Sequence, residues 1–235
     1  MTLPLIQEEY EQRIRPEIDA LVAEVAAAVA ANPALEPFYK GWRVFFGPVL
    51  SRPKVLLIGI NPGNGQAGNV DTEFWGNELP FEYTEYSYTL ARESKEAFAA
   101  AGLDDVLATA TMKTNYCFLS TTRADELEQL TDGLGRSADG QEDLGQKVYR
   151  KSDEWTLRFL ALLQPHAVVC EGKTAYEWVR RLLGPSPEET WDSEASCGYA
   201  RFPEHGFVLI GYSRRQSRMR NKAAFAELLQ RLVTP

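Results

Sequence analysis

The stretch Val55–Gly63, VLLIGINPG, constrains the fold of this chain more than any other. Val55, Leu56, Leu57 and Ile58 form an unbroken apolar run, with β-branched members at both ends, that stops at Gly59. Such a run has no polar face to offer water, so it reads as a strand of a parallel sheet covered on both sides. Past Gly59 the chain switches from strand to loop. Asn61 carries a free polar side chain, Pro62 fixes φ, and Gly63 admits a backbone conformation other residues resist. In open α/β sheets ligands sit just past the carboxyl ends of strands. Asn61 therefore stands where such folds put chemistry, and the alternative is an Asx turn at an ordinary strand exit.

The rest of the chain supplies partners for that strand. His166–Cys170 and Phe207–Tyr212 are short apolar runs of the same kind, and Met112–Leu119 is a fourth candidate strand. Helical spacing marks Thr89–Ala101, closed by Gly102, then Leu103–Ala110, Ala124–Leu130, Asp143–Leu163, Lys173–Leu183 and Lys222–Val233. Strands alternating with helices predict an α/β fold, a three-layer α/β/α sandwich around a central parallel sheet. Residues 4–32 read as helix, divided at Pro16. Residues 36–53 read as a short strand or apolar linker, 133–140 as a surface loop and 184–199 as a Pro/Ser/Glu-rich loop. The expected organisation is a single unit, 41–235, with residues 1–40 as an N-terminal helical extension. The long segment from Asn61 to Ser87, with Tyr88 just beyond, is glycine-rich but holds Phe74, Trp75, Phe81, Tyr83, Tyr86 and Tyr88. Long loops in compact domains are commonly functional, and these rings suit either a pocket wall or a cap on the core.

Composition removes several classes of function. No apolar run approaches the roughly 20 residues that span a bilayer, and the acidic start MTLPLIQEEYEQ lacks the basic region of a secretory signal. Cys117, Cys170 and Cys197 are widely spaced and odd in number. They argue for a reducing, cytoplasmic setting, and against a disulfide framework or a four-cysteine metal cluster. His166 and His205 stand apart from the cysteines, so no metal site is expected. Gly172-Lys173-Thr174 imitates the end of a phosphate loop, but Ala167 occupies the position of the required first glycine. The net charge of −8 opposes wholesale nucleic-acid binding. One local basic run survives that objection: Arg214, Arg215, Arg218, Arg220 and Lys222. It reads as a phosphate contact or as the solvated start of the last helix.

Four stretches, in order, carry a resemblance. Gly59-Ile60-Asn61-Pro62-Gly63 is similar to the first motif of the uracil-DNA glycosylase superfamily, in the branch of mismatch-specific and single-strand-selective enzymes. Lys113–Leu119 resembles the strand that presents that family's base-reading asparagine, here Asn115, with Phe118 where the family has proline. Val168–Ala175 resembles its strand–Gly-Lys–helix segment. Asn221-Lys222 matches the pair that opens its last helix, and counting back puts Tyr212 where the family has a histidine. The His-Pro-Ser-Pro stretch around that histidine is absent; Ser213, Arg214 and Arg215 come after Tyr212 instead.

The resemblance implies hydrolysis of the N-glycosidic bond of a flipped uracil, or a related damaged base, in DNA. It implies no cofactor. Asn61 would position the attacking water, and Tyr212 would donate a hydrogen bond to the departing base. Gly59, Ile60, Pro62, Gly63, Phe74 and Asn115 would form the base pocket, with Phe74 stacking on the base and Asn115 pairing with its O4/N3–H edge. Ser213, Arg214, Arg215, Arg218, Arg220, Asn221 and Lys222 would meet the DNA backbone. The same residues support two other readings. The loss of the histidine stretch suits a silent member that binds base or nucleic acid without cleaving it. The acidic charge suits a small-molecule or nucleotide-binding α/β enzyme.

Overall fold

The computed structural model describes residues 1–63, 75–78 and 80–234. Four strands form the parallel part of its sheet: β1 (Val55–Gly59), β2 (Thr111–Asn115), β3 (Ala167–Cys170) and, later in the chain, β6 (Phe207–Tyr212). Two more, β4 (Glu188–Asp192) and β5 (Cys197–Phe202), pair antiparallel with each other and with β6. The order across the sheet is β2-β1-β3-β6-β5-β4. The sandwich expected from the alternating pattern is present, and its sheet is mixed: parallel through β6, antiparallel at one edge. The reading of 184–199 as a loop is corrected accordingly, since the stretch holds β4 and part of β5. Its Pro, Ser and Glu content reflects an edge strand whose residues face water, all exposed except the half-buried Trp191.

Alternation sorts the strand side chains onto two faces. Leu56, Ile58, Met112, Val168 and Leu209 point into one core, with Val55, Leu57, Val169, Val208 and Ile210 in the other. The first core is covered by α1 (Leu3–Glu9), α2 (Arg15–Ala31), α6 (Asp125–Gly133), α7 (Leu144–Leu163) and α8 (Lys173–Leu183). The second is covered by α3 (Glu82–Glu85), α4 (Thr89–Ala100), α5 (Asp104–Thr109) and α9 (Lys222–Val233). Local sequence sets several of these boundaries. Asp143 caps α7, its carboxylate accepting from Gln146 N at 3.0 Å. Gln164 closes that helix in the left-handed conformation just before Pro165. Asn221 caps α9 by accepting from Ala224 N at 3.1 Å.

The N-terminal helices are an integral layer. Ile6, Tyr10, Ile14, Ile18, Leu21, Val25 and Val29 are all buried in the first core. Pro16 does interrupt the run, but without a break: Tyr10–Ile14 widens into a π-turn, with Arg15 N reaching back to Tyr10 O. Proline has no N–H for the carbonyl four residues before it, and the wider turn absorbs that mismatch. Residues 36–53 form no regular strand. They run beside the sheet through single bridges, Trp42 to Leu119 and Phe45 to Thr114.

Candidate functional site

Sheet order fixes where a ligand belongs. From β1 the chain moves to β2 on one side and to β3 on the other. The carboxyl ends of β1 and β3 therefore bound the topological switch point, where open α/β sheets leave a crevice. Gly59 ends β1 there, and Glu171 comes directly after β3, held by its own N–H donating to Ile58 O at 2.8 Å. Register carries Asn115 to the same level, opposite Gly59 on β2. Lys113, two residues earlier, and Tyr212, at the end of β6, share its face, the one covered by α3, α4 and α9.

Gly59 is what lets these side chains meet. A Cβ there would run into Asn115 Oδ1 and would stand 3.4 Å from Glu171 Oε2. Asn115 is 4% exposed and Glu171 2%. The amide nitrogen Nδ2 of Asn115 is buried with no hydrogen-bond partner among the described residues. A buried donor left unpaired costs about 1–3 kcal/mol, and in native structures such groups mark redox, catalytic or ligand-binding positions or hold a water.

Around this point lies a charged network. Lys113 Nζ sits 2.6 Å from Glu82 Oε1 and 3.7 Å from Glu171 Oε2. It also lies over the rings of Tyr83 and Phe46, at 4.4 and 4.9 Å from their centroids. Tyr83, fully buried, donates its hydroxyl to Glu171 Oε1 in a short hydrogen bond. Tyr88 donates to Glu82 Oε1 at 2.7 Å. Formally, one ammonium faces two carboxylates. Burial first, and then the Glu171 charge, hold the Tyr83 phenol well above its usual range, so it stays a neutral donor. Sequence reasoning does not reach Glu82, Lys113 or Glu171 as site residues. Lys113 within an apolar strand, at the two-residue spacing that shares a face with Asn115, is the available signal; so is an acid directly after the AVVC run.

The expected site residues divide. Gly59, Asn61 and Asn115 are gathered at the exits of β1 and β2, which run on together: Tyr116 N donates to Gly59 O at 2.9 Å and Cys117 N to Ile60 O at 2.8 Å. Pro62 is buried, Ile60 half-buried and Gly63 exposed. Asn61 Nδ2 donates to Thr121 Oγ1 at 2.7 Å and to Leu119 O at 3.3 Å, stitching the two loops together. Its Oδ1 accepts no hydrogen bond from the described residues. Phe74 lies outside the described residues. Tyr212 is 2% exposed, with its ring 4.5 Å from that of Phe225. Its hydroxyl has no well-formed hydrogen bond among the described residues, although Ser94 stands beside it. Burial, with Glu171 adding to it, raises the Tyr212 phenol, which therefore remains an O–H donor.

The basic run takes a different form from the expected helix start. Arg214–Arg215 (β7) and Arg218–Met219 (β8) pair as a small antiparallel hairpin between β6 and α9. Arg215, Arg218 and Arg220 are exposed. Arg214 is half-buried, its Nε 3.1 Å from the place a Cβ on Gly172 would take. Lys222 has its ammonium held by Glu93 at 3.0 Å and by Glu96 in a short pair. Asn221 is occupied as the helix cap. Ser213 is tied through its backbone to Ser196 O at 2.6 Å and to Arg220 N at 3.0 Å.

Two surface hollows occur elsewhere, one lined by Thr84, Lys95 and Asp104, the other by Asp132, Gln146 and Tyr149. Neither touches this cluster. Among the described residues no helix is long and apolar enough to cross a membrane. No protein-family model matches the chain, and no curated protein matches it.

Proposed function

We propose that the chain is a uracil-DNA glycosylase-like protein that takes a flipped base at the carboxyl end of its sheet and hydrolyses the N-glycosidic bond. One observation carries this reading above the others. Asn115, level with Gly59 on the neighbouring strand, has a buried amide nitrogen with no partner among the described residues, one strand from the exit that bears Asn61. An amide presents a donor and an acceptor together, which is what reading the hydrogen-bonding edge of a base requires.

The chemistry divides among several residues. Cleavage leaves positive character on the sugar and moves the bonding electron pair onto the base. Asn61, with Nδ2 anchored and Oδ1 free of the described residues, orients the water that adds to C1′. The neutral phenol of Tyr212, at the position of the family's histidine, is the donor for the departing base. The exposed arginines 215, 218 and 220 face the backbone of the nucleic acid. The test is incubation with single- and double-stranded uracil oligonucleotides followed by alkali, which cuts at abasic sites. Strand scission by the wild type that is lost in Asn61→Ala and Asn115→Ala is the expected result; scission unaffected by both removes the site from the reaction.

A second reading has its own support. The amide nitrogen of Asn61 serves the loops, and the family's histidine is absent, which suits a protein that binds a base without cleaving it. Retention of the oligonucleotide without alkali-labile product would distinguish it.

A further inference from the structure

Among the described Phe, Tyr and Trp side chains, only Tyr86 and Tyr88 are exposed, at 52% and 44%. They stand two residues apart in the link between α3 and α4, so their Cα atoms lie within about 7 Å of each other. The link is held in place. Tyr86 N donates to Glu82 O at 2.9 Å, and Tyr86 O accepts from Lys95 Nζ at 3.0 Å. The Tyr88 hydroxyl is bound to Glu82, and its ring meets that of Tyr83 edge-on, 5.8 Å between centroids.

The basic hairpin is tied to the same end of α4. Met219 N donates to Glu93 Oε2 at 3.0 Å, little more than a turn along the helix from Tyr88. Across the hairpin Arg215 stands directly opposite Arg218. Like charges so placed repel, and neither guanidinium has a carboxylate within ion-pair distance among the described residues. Arg92, exposed on the first turn of α4, is likewise without an ion pair among them. Most acids of the stretch 81–96 are engaged: Glu82 by Lys113, and Glu93 and Glu96 by Lys222. Glu85 keeps a free carboxylate among the described residues.

The geometry points to a platform for a single strand of DNA, with bases stacked on Tyr86 and Tyr88 and phosphates held by Arg215, Arg218 and Arg92. The inference rests on the hairpin as the backbone contact and adds the strand state of the partner. A phosphate between Arg215 and Arg218 turns their repulsion into two charge-assisted hydrogen bonds. In a duplex both faces of each base are covered by neighbouring bases, so exposed rings gain nothing from it. An unpaired strand leaves those faces open, and stacking on them is indifferent to sequence. Because the link is fixed before binding, little ordering cost falls on the complex.

Fluorescence anisotropy of the full chain with a thymidine oligonucleotide, alone and annealed to its complement, tests this without requiring excision. The single strand should bind about tenfold more tightly than the duplex or better. Tyr86→Ala should weaken the single strand by about 5- to 100-fold, and Tyr86→Phe, which keeps the ring, by no more than about twofold. The salt slope of Tyr86→Ala should match the wild type, because no phosphate contact is lost. Tyr88→Ala should act in the same direction, and Tyr86 alone carries the test if that variant does not fold. Equal affinity for both strand forms, an unchanged Tyr86→Ala, or equal loss in Tyr86→Ala and Tyr86→Phe overturns the inference. So does poly-glutamate binding as tightly as the strand, since it offers charge without base faces. Uracil excision with a duplex preference overturns it while upholding the glycosylase reading. Ring-dependent binding of the single strand with no excision from any oligonucleotide upholds it and overturns cleavage.

Discussion

The ammonium of Lys113 lies 2.6 Å from Glu82 Oε1, with the two side chains 7% and 11% exposed. The pair joins the end of the sheet to α3, the short helix that covers it, and with Glu171 it ties three separate chain segments. Removing one member of such a pair leaves charge buried without compensation. Lys113→Met should therefore lower unfolding stability by about 3–5 kcal/mol. The double variant Lys113→Met/Glu82→Gln should regain part of that loss. Urea denaturation measures both, and a Lys113→Met protein as stable as wild type would mean that the lysine compensates nothing.

Gly59→Ala is a small change with a large expected effect. The added methyl meets Asn115 Oδ1 and crowds Glu171. Since the methyl lies at the meeting point of the two side chains, ligand binding should be lost even if the fold survives. Overpacking of this kind costs about 1–3 kcal/mol. A thermal melt gives the stability and dialysis the binding; unchanged nucleoside binding would move the site elsewhere.

Salt dependence separates the exposed arginines from the committed lysine. Each phosphate contact contributes a slope of roughly 0.7–0.9 in log affinity against log salt. Arg215→Ala/Arg218→Ala should flatten the slope for a single-stranded oligonucleotide by about two contacts. Lys222→Ala should leave the slope alone and instead reduce stability, because Lys222 is already held by Glu93 and Glu96. The opposite pattern would show that the hairpin is not the nucleic-acid contact.

Tyr212→Phe divides stability from chemistry. The hydroxyl it removes is buried without a well-formed hydrogen bond among the described residues, so stability should hold or rise by up to about 1 kcal/mol. Excision, if that hydroxyl serves the departing base, should fall by roughly 10- to 1,000-fold. Rate and stability both unchanged would leave Tyr212 as a core residue only.

Cys117 and Glu93 illustrate the two limbs of the pH profile. Burial pushes the Cys117 thiol up to about 11. Between its ordinary value near 9 and 11, the unfolded chain gives up this proton and the folded chain keeps it. Stability is thus whole below pH 9 and declines as pH rises through 11. Glu93 moves the other way: burial raises its carboxyl, but hydrogen bonds from Lys222 and Met219 N outweigh that and hold it below its ordinary 4.5. Its contribution is present above pH 4.5 and is lost as pH falls through the depressed value. Chemical denaturation across this range should show both limbs, and the native thiols, all buried, should resist an aromatic disulfide reagent at pH 8. Rapid labelling of the native chain would contradict their burial.

Much of the architecture is legible in the residues. The apolar runs at Val55 and Phe207 form β1 and β6, and the helices at Lys173 and Lys222 begin and end where periodicity puts them. The features that escape such a reading have a common cause. The β4 strand faces water along nearly its whole length, so it carries no apolar period to detect. The charged network escapes because its members, Glu82, Lys113 and Glu171, are far apart in the chain, and a buried charge is recognisable only once its partner is known. Asn61 and Asn115 are singled out by motif, and Glu171 is not, because only the sheet brings it to the level of Gly59 and Asn115.

The edge strand β4 has a consequence for how the protein keeps to itself. An outer strand is an open template for another chain's backbone. Here Glu188, Glu189 and Asp192 line it, the first two steadied by Arg201 and Arg180. A second copy approaching edge to edge would bring acid against acid. That guard is carried by charge, so it should weaken as salt screens it, and turbidity at high ionic strength would start at this strand.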